Sequence, residues 1–304
     1  MNKRFIVLLI IFLLGLFGLS FYLGFVKNPA INGDKGLKVA ASIFPLYDIT
    51  KNIAGDKAEV VLMLPVGASE HTFEPTPKEQ EELSDADLVV LIGHGIDGWV
   101  EKLVQAGRGE EVVTVDRNIE LKSLEGEEVE EGGDGLDPHY WLSIDNAMII
   151  ADNVAEELSK EDPANAQYYR ANSYKYKIKL GELKQELQQK IVSISDPEIV
   201  TFHEAFSYFA QEFSINIVAS IEPFPGKEPT AQYLADVKRI VEENGLKVLF
   251  KEPQLSDSVV NALAEDLDVS IYTLDPVGGM EGRDSYEKLL EYNINTIVEA
   301  LGKN

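Results

Sequence analysis

Histidine is scarce in this sequence, with four copies among 304 residues, and three of them are placed where they could supply ligands to a metal ion. His71, His139 and His203 lie in polar loops or where an apolar, strand-like run ends. Neutral imidazole is the commonest side-chain ligand for zinc and related metals. Residues so far apart in sequence can share a site only if the fold brings their loops together. We therefore predict a metal site, provided that the surrounding elements can assemble it.

The neighbours of each histidine allow a ligand role without requiring it. His71 lies in EHTFEPTP, a loop that prolines stiffen and glutamates flank, which suits a ligand whose second ring nitrogen must be oriented. His139 lies in DPHYWLS, a polar loop before a helix, and His203 follows the strand-like run EIVTF. The respective alternatives are an exposed loop residue, a helix-capping loop and a buried core residue.

Two further residues follow strand-like runs in the same way. Asp275 closes the run VSIYTL, although an aspartate before a proline is also common in turns. His94 lies between two glycines in a turn, and we expect it not to bind metal. The sequence contains no cysteine, which excludes thiolate ligands, disulfides and a lipid-modified cysteine. Any metal must therefore be held by nitrogen and oxygen atoms.

The overall charge favours cations as ligands. The chain has 27 Lys and Arg against 52 Asp and Glu, a net charge of −25. A field of this sign attracts cations and repels phosphate backbones and anionic lipid headgroups. We therefore predict no nucleic-acid partner.

The N-terminal region predicts a membrane anchor. Residues 5–26 form an uncharged and almost wholly apolar run of 22, preceded by Lys3 and Arg4. A helix of that length spans about 33 Å, enough to cross a bilayer. The positive flank predicts a cytoplasmic N-terminus with the rest of the chain outside. We favour an uncleaved anchor over a cleaved signal peptide, which would leave a secreted or periplasmic protein, because the run is long and no A-x-A site follows it.

From Leu37 onward short apolar runs alternate with helix-like segments, which predicts an α/β fold with mainly parallel sheets. Thr76, Pro77 and Glu79 mark the start of one helix by a hydroxyl cap, a proline in the first turn and a capping-box glutamate. His71 therefore lies in the loop between a strand and this helix. Ligands of open α/β sheets bind at the carboxyl ends of the strands, where this loop lies.

The chain divides into four predicted parts. Residues 1–36 form the anchor and a tether, 37–162 a first α/β lobe, 163–195 one long rigid helix that links the lobes, and 196–304 a second, similar lobe. Within the first lobe, the loop 118–138 carries eight acidic residues and four glycines, so no packed element can be built from it. The length beyond residue 36 suits two lobes better than one domain.

Four segments resemble, in their order and spacing, the solute-binding proteins of zinc and manganese ABC transporters, the ZnuA/TroA-like family: GASEHTFEPTP, DPHYWLS, TFHEAFSYFA and YTLDPVGG. The resemblance covers about residues 37–301. It implies two α/β lobes joined by a single rigid helix, with the metal in the cleft between them. Carried over to this sequence, the implied ligands are His71 and His139 from the first lobe and His203 and Asp275 from the second.

The resemblance also bears on the metal and on the fourth ligand. Manganese-binding members have glutamate where this sequence has His203, and zinc-binding members have histidine. Three imidazoles and one carboxylate suit tetrahedral zinc, Zn²⁺, whereas manganese prefers more oxygen ligands; Mn²⁺ or Fe²⁺ is the alternative. Some zinc-binding members use the glutamate of the Glu-His pair, so Glu70 or water competes with Asp275, which we favour.

The acidic loop differs from that family pattern, because zinc-binding members often have a histidine-rich segment in this region. Our hypothesis is that its carboxylates attract divalent cations weakly and raise their local concentration. A solvated loop with no role in metal binding is the alternative.

Together these features predict an extracytoplasmic, membrane-anchored zinc-binding protein that captures the ion and delivers it to the permease of an ABC transporter. We expect a monomer without enzymatic activity. A surface adhesin with the same metal site is one alternative. A zinc hydrolase with Glu204 or Glu74 as its base is a weaker one, because the sequence has no HExxH helix.

Overall fold

The computed structural model describes residues 36–105, 111–124, 134–222 and 225–303. Residues from Leu37 onward form one compact unit. The predicted anchor at 5–26 lies outside the described residues, as does the middle of the acidic loop at 125–133. Within the described ranges, no helix is long and apolar enough to cross a membrane.

The first half of this unit contains a four-stranded sheet in which every pair of neighbours is parallel. Its strands, in the spatial order β2-β1-β3-β4, are β1 (Leu37–Ala41), β2 (Ala58–Leu62), β3 (Leu88–Leu91) and β4 (Glu111–Thr114). Between them run α1 (Phe44–Ala54), α2 (Pro77–Ser84) and α3 (Gly98–Gln105). Strand β3 has the sequence LVVL and is buried throughout, as expected of an inner strand covered on both faces.

Two helices follow the acidic loop. A single 3₁₀ turn, His139–Leu142, leads into α4 (Ile144–Glu161), and a second, Pro163–Asn165, leads into the long α5 (Ala166–Ile191). A long helix is thus present within the predicted range 163–195, although its first turn is 3₁₀ and it ends at Ile191; its role as a link between lobes stays a prediction. Its buried residues recur every three or four positions, which turns one face of α5 towards its neighbours: Tyr169, Ser173, Tyr176, Leu180, Leu183, Leu187 and Ile191.

The second half again alternates strands and helices, and its strands form two parallel pairs. Strand β5 (Glu198–Thr201) pairs with β6 (Asn216–Ser220), and β7 (Val248–Lys251) pairs with β8 (Ser270–Thr273). The intervening and final helices are α6 (Ser207–Phe213), α7 (Ala231–Glu243), α8 (Ser258–Leu267) and α9 (Tyr286–Leu301). Strands β5 and β7 lie side by side, although among the residues described here no strand ladder joins the two pairs.

Helix α5 packs against helices from both halves of the chain. Its neighbours are α4 and α1 from the first half and α9 from the second. One hydrophobic core accordingly contains residues of both halves, such as Val39 of β1 and Ile294 of α9, while a smaller core around Val200 and Leu249 belongs to the second half. The α/β fold with parallel sheets is therefore confirmed. The division into lobes at the stated boundaries stays a prediction.

The predicted start of α2 is also present. The backbone N–H of Lys78 donates to Thr76 Oγ1 at 3.3 Å, and the backbone N–H of Thr76 donates to Glu79 Oε2 at 2.8 Å. This capping box with Pro77 in the first turn is confirmed, and it defines the end of the loop that carries His71.

Candidate metal centre

The fold gathers side chains from three separate segments at the carboxyl ends of the strands. Glu70 and His71 lie in the loop between β2 and α2, His139 opens the 3₁₀ turn before α4, and His203 lies two residues after β5. Each of these four residues offers one ligand atom, and the four atoms lie within 4.8 Å of one another. They form the one group of at least three such side chains found among the described residues that could hold a metal ion.

The three imidazole rings face each other through their Nε2 atoms. Nε2 of His139 lies 3.3 Å from Nε2 of His71 and 3.4 Å from Nε2 of His203. The three ring centres are 5.1 to 5.4 Å apart, and the rings are tilted rather than stacked. Three nitrogen atoms converging in this way suit a common cation between them better than hydrogen bonds to one another.

Two buried carboxylates orient two of these rings from behind. Nδ1 of His139 lies 2.9 Å from Asp137 Oδ1, and Nδ1 of His203 lies 2.8 Å from Glu252 Oε1. When Nδ1 carries the proton and donates it to a carboxylate, Nε2 is left with a free lone pair. Carboxylates in this position are typical partners of metal-binding histidines.

Glu70 supplies an oxygen atom whose surroundings suit a cation. The residue is 2% exposed, and its Oε1 is 3.9 Å from Nε2 of His71. This oxygen has no hydrogen-bond partner among the described residues. A buried carboxylate oxygen without a partner is costly, and a metal ion at the imidazoles would compensate it.

The titration behaviour of the buried groups is consistent with a site for a cation. Burial, together with the neighbouring His71 and His139, holds the pKa of His203 well below its ordinary value, so this ring stays neutral. Burial raises the pKa of Glu252 to about 8, against the opposing effects of the His203 backbone N–H and the nearby imidazoles. A cation bound at Nε2 of His203 leaves the proton on Nδ1, which can donate to Glu252 Oε1, and the positive charge of the cation favours the ionised form of Glu252.

The pKa of Asp137 is shifted in the opposite direction. Its burial raises the pKa, but hydrogen bonds and charge from His139 and a hydrogen bond from Ser207 outweigh burial, so the pKa lies below its ordinary value. The lowered pKa favours the ionised form of Asp137, which can accept a hydrogen bond from the Nδ1–H of His139.

Asp275, which the sequence favoured as the fourth ligand, is not a member of the group of four. Its Oδ1 accepts hydrogen bonds from Gln254 and from the backbone N–H groups of Val277 and Gly278, and its Oδ2 accepts one from Arg283 at 2.8 Å. Both oxygens are thus already engaged. The side chain holds a turn together, which is the alternative that its position before Pro276 had allowed.

His94 also lies apart from the group. Its ring nitrogens face two carboxylates on opposite sides, Asp134 at 2.8 Å and Asp116 at 3.3 Å. The residue has a left-handed backbone, with φ of 57°, between two glycines in the turn after β3. This placement explains why a fourth histidine can follow a strand without joining the site.

The residues predicted from the sequence did not include the two carboxylates that orient the imidazoles. Asp137 lies in the DPH motif, two residues before His139, where a short side chain can reach both the backbone and the ring. Glu252 directly follows β7, and its position at the carboxyl end of a strand was the available signal. Neither role can be assigned from the sequence, because the sequence does not show which imidazole ring each carboxylate contacts.

Comparison with known proteins places the chain in a family. Residues 39–300 match the family described as zinc-uptake complex component A, periplasmic, ZnuA. A manganese ABC transporter substrate-binding lipoprotein of Streptococcus mitis, PsaA, is 32% identical over 91% of this chain and 93% of its own length. The high-affinity zinc uptake system protein ZnuA of Bacillus subtilis is 30% identical over 88% of each chain.

A solved structure shows the same similarity in three dimensions. The crystal structure of a ZnuA protein superimposes with a TM-score of 0.78 at 28% identity, covering 88% of this chain and all of that one. The chain therefore belongs to the ZnuA family of substrate-binding proteins of metal ABC transporters. This is a family of solute-binding proteins rather than of enzymes, and its members bind a metal ion and work with a membrane permease.

Proposed function

We propose that this protein captures Zn²⁺ with His71, His139, His203 and Glu70 and delivers it to its permease. The observation that carries this proposal is the spacing of the imidazole nitrogens, at 3.3 and 3.4 Å. A tetrahedral zinc ion with Zn–N bonds of 2.0–2.1 Å has ligand atoms about 3.3–3.4 Å apart. The two separations from Nε2 of His139 thus match the edges of such a tetrahedron, and the four ligand atoms all lie within 4.8 Å of one another.

Glu70 is proposed as the fourth ligand in place of Asp275. Support comes from its buried Oε1, which has no partner within the described part of the chain, and from the ion pair that engages Asp275 with Arg283. The resulting set of three neutral imidazoles and one carboxylate carries a single negative charge. Manganese prefers more oxygen ligands than this single carboxylate supplies, so the ligand set favours zinc.

Manganese is the second candidate because a similar protein is named for it. The relative from Streptococcus mitis is described as a manganese-binding component, and the one from Bacillus subtilis as a zinc-uptake component. Overall similarity therefore does not separate the two metals. The donor atoms support zinc, because imidazole nitrogen suits zinc and carboxylate oxygen suits manganese.

For the location of the protein, we propose the outer side of the membrane, held by the apolar run at 5–26. The Streptococcus mitis relative is described as a lipoprotein. This sequence has no cysteine to carry a lipid, so an anchoring helix would take the place of the lipid.

The metal can be identified by purifying the protein without chelator and measuring its metal content by mass spectrometry. Zinc and manganese are then titrated in competition against the metal-free protein, with thermal unfolding as a second readout. Zinc should be the metal recovered and should displace manganese. An ion at a thousand times its dissociation constant stabilises the folded state by about 4 kcal/mol.

His203→Ala should remove most of the zinc affinity, because it deletes one of three nitrogen ligands. His94→Ala is the matched control, because the His94 ring contacts Asp134 and Asp116 and lies apart from the site. The zinc affinity of this variant should equal that of the wild-type protein. Tighter binding of manganese than of zinc by the wild-type protein would refute the assignment of the metal.

A further inference from the structure

The base of the acidic loop is joined to the start of α6 by a dense set of contacts. The backbone N–H of Lys122 donates to the Tyr208 hydroxyl at 2.8 Å, and Lys122 Nζ donates to the carbonyl oxygen of Ser207 at 2.7 Å. The same ammonium group lies 4.7 Å from the centre of the Tyr208 ring. The Tyr208 hydroxyl in turn donates to the carbonyl oxygen of Asp137 at 3.0 Å. We call Lys122, Asp137, Ser207 and Tyr208 the clasp.

The two ends of the acidic loop are themselves tied together. The backbone N–H of Asp137 donates to the carbonyl oxygen of Lys122, and that of Leu124 donates to Gly135, both at 2.8 Å. Ser123 and Leu136 form an antiparallel bridge between these bonds. Lys122 and Asp137 are therefore hydrogen-bonded to each other, and both contact α6, which follows α5 in the chain.

The carboxylate of Asp137 connects this contact to the metal site. Its Oδ1 accepts the backbone N–H of His139 and faces Nδ1 of the same residue, both at 2.9 Å. Its Oδ2 accepts a hydrogen bond from the Ser207 hydroxyl. One buried carboxylate is thus held by α6 on one side while it orients a proposed ligand on the other.

We propose that the clasp makes the orientation of His139 depend on contact between α6 and the base of the acidic loop. Ser207 and Tyr208 are then positioning residues that act through Asp137. When the contact loosens, the Asp137 carboxylate is free to rotate, the hold on Nδ1 of His139 weakens and the ion is released. The proposal rests on the proposed metal-binding function and adds to it a device that controls release.

The test compares zinc dissociation rates, measured by rapid mixing of the loaded protein with an excess of chelator. Ser207→Ala and Tyr208→Phe should each release zinc about tenfold faster, in line with the effects of groups that orient metal ligands. Association should stay within about twofold of the wild-type rate, because the charge that attracts the ion is unchanged. The double variant should show less than the product of the single effects, because both residues act through Asp137, Ser207 on its carboxylate and Tyr208 on its backbone carbonyl.

Two matched controls separate positioning from general destabilisation. Ser173→Ala removes another part-buried serine–aspartate hydrogen bond, from Ser173 Oγ to Asp152 Oδ1 at 2.6 Å between α5 and α4. Tyr169→Phe removes a tyrosine–aspartate bond of 2.8 Å to Asp162. Both controls should release zinc at the wild-type rate. Ser207→Thr keeps the hydroxyl and should restore slow release.

Unfolding by denaturant without metal verifies that every variant is folded. If Ser207→Ala and Tyr208→Phe release zinc at the wild-type rate, the proposed role of the clasp is wrong. It is equally wrong if the two control variants release zinc as fast as these two. Failure of the wild-type protein to bind zinc would instead refute the proposed function, so the two failures are distinguishable.

Discussion

The two carboxylates considered as the fourth ligand differ in what already surrounds them. Asp275 is fully buried, and Arg283 and three N–H donors engage its two oxygens. Glu70 is almost as deeply buried, yet its Oε1 lacks a hydrogen-bond partner in the described part of the chain. A group that already has its partners has little to gain from a metal ion, whereas an unpaired buried oxygen gains a great deal.

Substitution of Glu70 should therefore mainly weaken zinc binding, whereas substitution of Asp275 should mainly lower the stability of the fold. Glu70→Gln should weaken zinc binding by at least about tenfold, because the amide oxygen is a poorer ligand than a carboxylate. Asp275→Asn should instead lower the free energy of unfolding by about 3 kcal/mol, because it leaves the Arg283 guanidinium without its buried partner. Zinc titration and denaturant unfolding of both variants check this. A larger loss of affinity in Asp275→Asn than in Glu70→Gln would restore Asp275 as the ligand.

Zinc affinity should fall as the pH is lowered. Protons compete with the ion for imidazole nitrogen, and an ordinary imidazole titrates at about pH 6.5. The pKa of His203 is lowered by burial and by the neighbouring rings, so His203 joins this competition only at more acidic pH. We expect at least a tenfold loss between about pH 7.5 and about pH 5, measured by competition with a chelator of known pH dependence. An affinity that stays constant over this range would contradict the imidazole ligands.

At the scale of elements, the loop that carries Glu70 and His71 is fixed at its far end by the start of α2. The Thr76 capping box ends the loop, and within it the Phe73 ring meets the Trp99 ring edge-on, with centres 4.9 Å apart. A loop held at these points presents its ligands with little loss of conformational entropy when the ion binds.

Thr76→Ala should therefore affect both stability and binding. Loss of a capping side chain costs about 1 kcal/mol of the free energy of unfolding, and the loosened loop should weaken zinc binding a few-fold. Thr230→Ala is the matched control, because Thr230 caps α7 through the backbone N–H of Tyr233 at 3.2 Å. Denaturant unfolding should show similar losses in both variants, and zinc titration should show an effect in Thr76→Ala alone. Equal zinc affinities in the two variants would show that the Thr76 cap does not contribute to zinc binding.

At the scale of the whole molecule, a net charge of −25 should act on the rate of metal capture. Screening shortens the range of this field from about 30 Å at 0.01 M salt to about 10 Å at 0.1 M. Zinc association should slow by at least about threefold over that range, while dissociation from the buried site changes little. Stopped-flow measurements at several salt concentrations check both rates. An association rate independent of salt would show that the field does not guide the ion.

The sequence by itself predicted most of the strands and helices and the three histidines that the fold brings together. Alternating apolar runs and the Thr76 cap depend on neighbours a few residues away, so local pattern was enough to predict strands, helices and the end of the His71 loop. The same holds for His94, whose glycine neighbours already marked a turn.

Only the tertiary structure shows which carboxylate lies beside the three imidazoles. Arg283 and Gln254, which engage Asp275, come from segments that no local pattern links to it, and so does Glu252 behind His203. A buried carboxylate is available to bind a metal ion only if its oxygens do not already accept hydrogen bonds from other groups. That is a property of contacts across the chain. Asp275 was favoured because it follows a strand and matches the family pattern, and neither feature shows which groups its oxygens contact.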